Sequence, residues 1–209
     1  MDVDLTLINC ESFRIFILKK YLEAGLLKKS KLAWFYLLRR IGKISISRFK
    51  KQCFFILKGM KRSELEMLGA RFSKNVLLKY VRPGAYITLK KHKSNGLPIY
   101  LVSASPQFYV KSLSNQLGLF GSFATEFKYN KEGKFTGDFD GSECIAEEKL
   151  LRLKYFCERM GIDLNSSVFY TDSYKDMPLL ISVGVPIAVC PDKQLKKICK
   201  QKGWAIEYW

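Results

Sequence analysis

After Pro83-Gly84 the chain changes its period: helical segments begin to alternate with short apolar runs, and few folds accept that rhythm. Tyr86 to Lys93 reads as a helix that stops near Gly96, Pro98 to Val102 as a buried strand, and the stretch through Val110 and Leu117 as a helix ended by Gly118. Phe123 to Tyr129 and Lys134 to Phe139 flank an Asn-Lys-Glu-Gly turn and predict a hairpin, with a helix following from Ile145 to Met160. Val168 to Thr171 and Pro186 to Cys190 supply further buried strands, and Ala205 to Tyr208 an edge strand. Strands separated by helices run parallel, and a parallel sheet needs both faces covered. The expected class is therefore α/β, a parallel sheet with helices on both faces.

The preceding stretch, Ser12 to about Lys79, has little strand character. Apolar residues recur at helical spacing in Phe13, Phe16, Ile17 and Tyr21, and again in Leu65, Leu68, Phe72 and Leu77, which predicts an all-helical block. Ser63 with Glu66 reads as a capping box. The run Leu32 to Leu38 is apolar on nearly every side and is expected in the core or between helices rather than on a membrane.

A length of 209 residues allows one domain, or one domain with a sizeable insertion. Lys and Arg number 36 against 19 Asp and Glu, and the net charge of +17 suits nucleic acid, an anionic membrane, phosphorylated metabolites, or simply a lysine-rich solvated surface. No aromatic-and-basic RNA motif accompanies the charge, so no specific nucleic-acid partner is expected. None of the six cysteines forms a Cys-x-x-Cys pair, which predicts reduced, mostly buried thiols, Cys144 among them. The chain opens with Met-Asp-Val-Asp rather than a basic and apolar leader. The uncharged run Met177 to Pro191 is shorter than the roughly 18 apolar residues of a spanning helix. The expected location is cytoplasmic, with peripheral contact at the inner face of the membrane as an option. His92, the only histidine, lies among lysines and is expected to be solvated.

Ligands of an open parallel sheet gather beyond the carboxyl ends of its strands. Asp2 and Asp4, Ser103 after Leu101-Val102, and Asp172 after Phe169-Tyr170-Thr171 all fall at such ends, and Lys149 lies on the helix after the hairpin. Asp2, Asp4 and Asp172 would repel one another unless a hard cation such as magnesium lay among them. With that charge balanced, Asp2 would serve as nucleophile toward phosphorus, and Asp4 would protonate the leaving oxygen and then activate water. The Ser103 hydroxyl, the following backbone N–H and the Lys149 ammonium would stabilise the transferring phosphoryl oxygens.

Taken in order, Asp2-Val-Asp-Leu-Thr6, Leu101-Val-Ser103-Ala-Ser105, Glu147-Glu-Lys149-Leu and Tyr170-Thr-Asp172-Ser-Tyr-Lys-Asp176 resemble the four motifs of the haloacid dehalogenase superfamily. Within it the chain is most similar to the phosphoserine-phosphatase-like branch, which carries a helical cap between the first and second motifs. The resemblance implies a Rossmann-like core from residues 1–11 and 81–209 with an all-helical cap from 12–80. It further implies a magnesium-dependent phosphomonoester hydrolase that works through an aspartyl-phosphate on Asp2. Its metal ligands would be Asp2, Asp4 through its main-chain carbonyl, Asp172 and Asp176. Thr6 would support their geometry, and Ser103, the Ala104 amide and Lys149 would hold the phosphate of a small substrate. Glu11 stands where the branch meets its substrate's amino group, which suggests phosphoserine or another small aminoalcohol phosphate.

Three positions depart from the branch pattern: only Met1 precedes Asp2, Leu5 replaces a Gly or Ser, and Lys175 replaces an Asn. They keep a catalytically weakened basic binding protein on the same fold as an alternative. The basic surroundings of Trp34-Phe35-Tyr36 keep another, a lipid-phosphate phosphatase at an anionic membrane.

Overall fold

The computed structural model describes residues 1–23 and 25–209, with the side chains of all of these except 26–29, 31 and 32. Four helices come first, α1 (Ser12–Leu22), α2 (Leu26–Arg40), α3 (Ile46–Phe54) and α4 (Arg62–Asn75), followed by α5 (Pro83–Ser94). Strands then alternate with helices: β1 (Tyr100–Pro106), α6 (Gln107–Gln116), β2 (Gly121–Thr125), β3 (Phe127–Tyr129), β4 (Phe135–Phe139), α7 (Glu147–Met160), β5 (Val168–Thr171), α8 (Met177–Leu180), β6 (Val185–Val189), α9 (Lys193–Lys202) and β7 (Ala205–Glu207). The fold is the expected α/β class, with β1 parallel to β2, and β5, β6 and β7 parallel in that order.

The first residues of the chain join these two half-sheets. The Met1 amino group donates to the Tyr100 carbonyl at 2.9 Å and the Val102 N–H donates to the Met1 carbonyl at 2.9 Å. On the other side the Asp2 N–H donates to the Tyr170 carbonyl, also at 2.9 Å. Two residues thus occupy the centre of the sheet, and burial lowers the Met1 amine from its usual range to about 5. Beside Met1, between Ile99 of the segment leading into β1 and Val168-Phe169 of β5, lies a cavity of about 300 Å³ floored by Leu153 and Phe156 of α7.

The helical block is fixed to the sheet through aromatic rings. Phe16 of α1 touches Phe72 of α4 and Phe108 of α6 at centroid distances of 5.1 and 5.5 Å, and Phe54 of α3 touches Phe127 of β3 at 5.1 Å. Such edge-on contacts add to the burial of large apolar rings. α4 lies so close to α6 that a Cβ at Gly69 would stand 2.2 Å from the Phe108 carbonyl oxygen. Gly69→Ala is expected to unfold the protein at a melting temperature several degrees lower, since the backbone contact has no slack.

Five local expectations change. Phe123 to Thr125 belongs to β2 of the main sheet, and only Phe127–Tyr129 pairs with β4, because the segment turns away at Glu126. The strand expected from Pro98 begins at Tyr100 and runs on through Ser103. At the start of α4 it is Glu64 that accepts the Lys61 N–H, at 2.7 Å, rather than Glu66 paired with Ser63; the helix begins two residues earlier than the pattern suggests. His92 is half-buried and shares a 2.8 Å hydrogen bond with the Tyr170 hydroxyl, and burial lowers its pKa. Within Leu32 to Leu38, Trp34, Tyr36 and Leu37 are exposed and only Phe35 and Leu38 are half-buried, while the Leu32 side chain lies outside the described ones.

All six cysteines are free, four of them buried, Cys144 included. No helix among the described residues is long and apolar enough to cross a membrane.

Candidate active site

The centre of the sheet delivers its polar groups to one place. Asp2 leaves the sheet at the carboxyl end of the joint between β1 and β5, and Asp172 follows β5 directly. The α7 side chain Lys149 reaches both Asp2 and Asp176, its Nζ donating to Asp2 Oδ1 and Asp176 Oδ2 at 2.8 Å each. All three are buried. Thr171 donates to the same Asp176 oxygen at 2.6 Å.

Thr6 locks the loop after Asp2 onto the end of β5. Its hydroxyl donates to Asp172 Oδ1 at 3.1 Å and accepts the Asp172 N–H at 2.9 Å. Asp4 is held separately: the Ser12 N–H at the start of α1 donates to Oδ1 and the Ser105 hydroxyl to Oδ2, both at 2.6 Å. Ser105 in turn meets the Ser12 hydroxyl at 2.9 Å, which meets the Tyr109 hydroxyl at 3.1 Å. Charge-assisted bonds of this kind fix the orientation of a carboxylate.

Ser103 is buried, and its oxygen accepts the Ser105 N–H at 3.1 Å. Ala104 next to it is half-buried and is fixed through its carbonyl by Thr125 at 2.9 Å. Glu11 takes the N-cap position of α1, is exposed, and makes no capping bond. Lys175 is exposed, its N–H bonded to the Ser173 hydroxyl at 3.3 Å.

Burial dominates the electrostatics. It pushes the Asp2 carboxyl up to about 7, with Lys149 opposing and Asp176 and Asp172 adding to the rise. Burial also raises Asp172 to about 6 against the bonds from Thr6. For Lys149 burial acts downward, but Asp2 and Asp176 outweigh it and hold the ammonium well above the usual lysine range. Two buried acids, Asp2 and Asp176, therefore share one buried cation, with the half-buried Asp172 held beside them by Thr6.

That donor set fits a hard divalent ion in charge and in chemistry, since it is all oxygen. As the side chains stand, no three His, Cys, Asp or Glu residues among those described converge closely enough to hold a metal. The four expected ligands divide into Asp2 and Asp176, joined by Lys149, Asp172 on Thr6, and Asp4 with its carboxylate turned to Ser12 and Ser105.

No role is expected from the sequence for Ser12, Tyr109 and Arg82, nor for Ser105, although it closes the second motif. Ser105 was legible, because a strand places alternate residues on one face and Ser105 is two beyond Ser103. Arg82 had no local signal: its guanidinium donates to the Leu5 carbonyl and to the Trp209 carbonyl, both at 3.1 Å, pinning the acidic loop to the far end of the chain. Leu5 itself has φ +58°, a left-handed conformation that costs a branched side chain about 1 kcal/mol or more. Leu5→Gly is expected to raise the melting temperature by a few degrees, readable in a thermal unfolding scan.

A family profile described as haloacid dehalogenase-like hydrolase matches residues 1–180. A histidinol-phosphatase of Neisseria meningitidis serogroup C is 28% identical over 98% of this chain and 95% of its own length. A phosphoserine phosphatase of Mycobacterium tuberculosis is 26% identical over 83% of this chain, which spans only 56% of that protein. Among solved structures, a protein of unknown function from Bordetella pertussis Tohama I superposes with a TM-score of 0.84 at 25% identity, covering 99% of this chain and 95% of that one. A phosphoserine phosphatase captured as a phospho-aspartyl intermediate analogue superposes at 0.63 with 24% identity, over 99% of this chain and 90% of that one, and shares the fold.

Proposed function

The chain belongs to the haloacid dehalogenase-like hydrolases, and from that premise we propose that it is a magnesium-dependent phosphatase that carries the phosphoryl group of a small aminoalcohol phosphate on Asp2. The observation that carries this reading is the Lys149 ammonium set 2.8 Å from both Asp2 and Asp176 at the carboxyl edge of the sheet. A buried cation beside a buried nucleophile is the arrangement a phosphoryl group requires, since its oxygens carry the charge that changes in the transition state.

An Asp2 carboxylate oxygen attacks phosphorus as the bond to the leaving oxygen breaks, and Asp4 gives that oxygen its proton. Water then attacks the phosphorus of the aspartyl-phosphate, Asp4 takes the water's proton, and the P–O bond to Asp2 breaks to release phosphate. Ser12 and Ser105 hold Asp4 in one orientation for both proton transfers. The Ser103 hydroxyl, the Ala104 amide and Lys149 bind the phosphoryl oxygens. Asp2, Asp172, Asp176 and the main-chain carbonyl of Asp4 would hold magnesium, which supplies charge neutralisation and Lewis-acid polarisation of the phosphoryl group when bound. Residues 12–80 form the cap over a core of 1–11 and 81–209.

Two relatives are named for phosphoserine and histidinol phosphate, both phosphate esters of amino alcohols. Glu11, exposed and free of capping duty beside Ser12, is suited to meet the substrate's ammonium. A steady-state comparison of phosphomonoesters tests this: Glu11→Gln is expected to raise KM for aminoalcohol phosphates about tenfold while leaving KM for an aryl phosphate that carries no ammonium group unchanged. Equal effects on both substrates would remove the ammonium contact.

The raised acids also set a pH signature for the metal. Asp2 near 7 and Asp172 near 6 hold protons that a divalent ion must displace, so binding releases protons and weakens as pH falls. The rise in melting temperature given by saturating magnesium is therefore expected to be larger at pH 7.5 than at pH 5. A magnesium shift independent of pH would mean that these carboxyls are not ligands.

A further inference from the structure

We propose that the outer face of α1 and α2 docks on an anionic lipid membrane surface. Between residues 24 and 63 the sequence has twelve Lys or Arg and no Asp or Glu, so a third of the chain's basic residues falls in one acid-free segment; Lys50 and Lys51 of α3 pair with Glu143 and Asp138 from outside it, whereas Arg39, Arg40 and Lys43 around the end of α2 are exposed. The same segment leaves large apolar side chains in water. Trp34, Leu37 and Ile41 fall at i, i+3 and i+7, one stripe of a helix, and each is at least half exposed. Ile41 immediately follows the last turn of α2. Leu18 and Leu22, one turn apart on α1, are 53% and 75% exposed.

The stripe is not turned toward the protein. Tyr36, two positions from Trp34 and so on another side of α2, rests on Phe49 of α3 at 6.4 Å, and α2 packs on both α1 and α3. Arg39, Arg40 and Lys43 flank the stripe, all exposed.

Charge alone would suit any polyanion. Aliphatic side chains such as Leu18, Leu22, Leu37 and Ile41 gain nothing from phosphates or stacked bases, and only an apolar medium rewards their exposure. Basic groups around an apolar stripe with an indole match the boundary between anionic headgroups and acyl chains. Since no described helix is long and apolar enough to span, the contact is interfacial. It stands apart from the catalytic reading: loss of membrane contact leaves turnover of a soluble ester untouched.

The test is co-sedimentation of the whole chain with vesicles of phosphatidylcholine alone or mixed with anionic phosphatidylglycerol, at low and high salt. Binding is expected only to the anionic vesicles and to weaken with salt. Trp34→Ser/Leu37→Ser/Ile41→Ser and, separately, Arg39→Glu/Arg40→Glu should each lower partitioning about tenfold or more, with turnover of a soluble phosphomonoester unchanged. Should the triple variant not fold, Trp34→Phe serves: the blue shift of tryptophan emission on adding anionic vesicles should be lost with that ring. The proposal fails if anionic vesicles do not bind, if the apolar variant binds them as well as the native chain does and RNA competes equally, or if the face instead mediates a dimer that the triple variant disperses without any change in vesicle binding.

Discussion

Asp2→Asn is expected to lower kcat by on the order of 10⁴-fold or more, with folding intact. The amide is isosteric, still accepts from the Lys149 ammonium, and leaves that ammonium its second partner, Asp176. It cannot attack phosphorus at a useful rate. The comparison requires single-turnover kinetics with a labelled phosphomonoester, in which the native chain should transiently retain label in acid-quenched protein and the variant should not. Turnover in the variant within tenfold of the native rate would remove Asp2 as nucleophile while leaving the fold unaffected.

Lys149→Met is expected to have the largest effect on stability, about 3–5 kcal/mol, because it leaves two buried acids facing one another without their cation. Turnover should vanish with it. The sign of the pH dependence is fixed by the acids. Asp2 already sits near 7 with the ammonium present, and losing the ammonium raises it further. A carboxyl whose folded pKa exceeds its unfolded value keeps its proton in the folded state while the unfolded chain releases it, so stability falls as pH rises through the raised value. In metal-free buffer the deficit of Lys149→Met relative to the native chain should therefore be larger at pH 8 than at pH 5. Adding Asp2→Asn should recover part of it, since one of the two opposed charges is then gone. Equal deficits at both pH values would mean that the pair contributes through packing rather than charge.

Much of the candidate site is readable in the sequence because chain order and strand ends are local properties. Ser103 and Asp172 were placed by the apolar runs that precede them, Leu101-Val102 and Phe169-Tyr170-Thr171, and a polar residue after such a run emerges at the sheet's carboxyl edge whatever the rest of the chain does. Thr6, which the resemblance places as a support for the acids, makes two hydrogen bonds to Asp172 across 166 positions. Their partners were less legible. Tyr109 meets Ser12 across 97 positions and Arg82 meets Trp209 across 127, contacts for which no spacing rule exists.

The misreadings share a cause. His92 looked solvated because its neighbours in sequence are lysines, yet its ring faces Tyr170, 78 positions on. The Leu32 to Leu38 run looked like core because apolar side chains cluster in it, yet Trp34, Tyr36 and Leu37 face water. Composition reports what a residue prefers, while burial depends on which surfaces remain uncovered after larger contacts form. Here the aromatic cluster around Phe16, Phe54, Phe72 and Phe108 already satisfies the helical block.

By itself the sequence determined the α/β alternation, the helical block ahead of it and the order in which the acids, the serine and the lysine arrive, since period and chain order need only near neighbours. Tertiary structure alone decided that Met1 and Asp2 bridge two half-sheets, that one ammonium is shared by Asp2 and Asp176, and that an apolar stripe of α2 is left in water. Each of those depends on distances between segments far apart in the chain, and such distances are set only when the whole core packs.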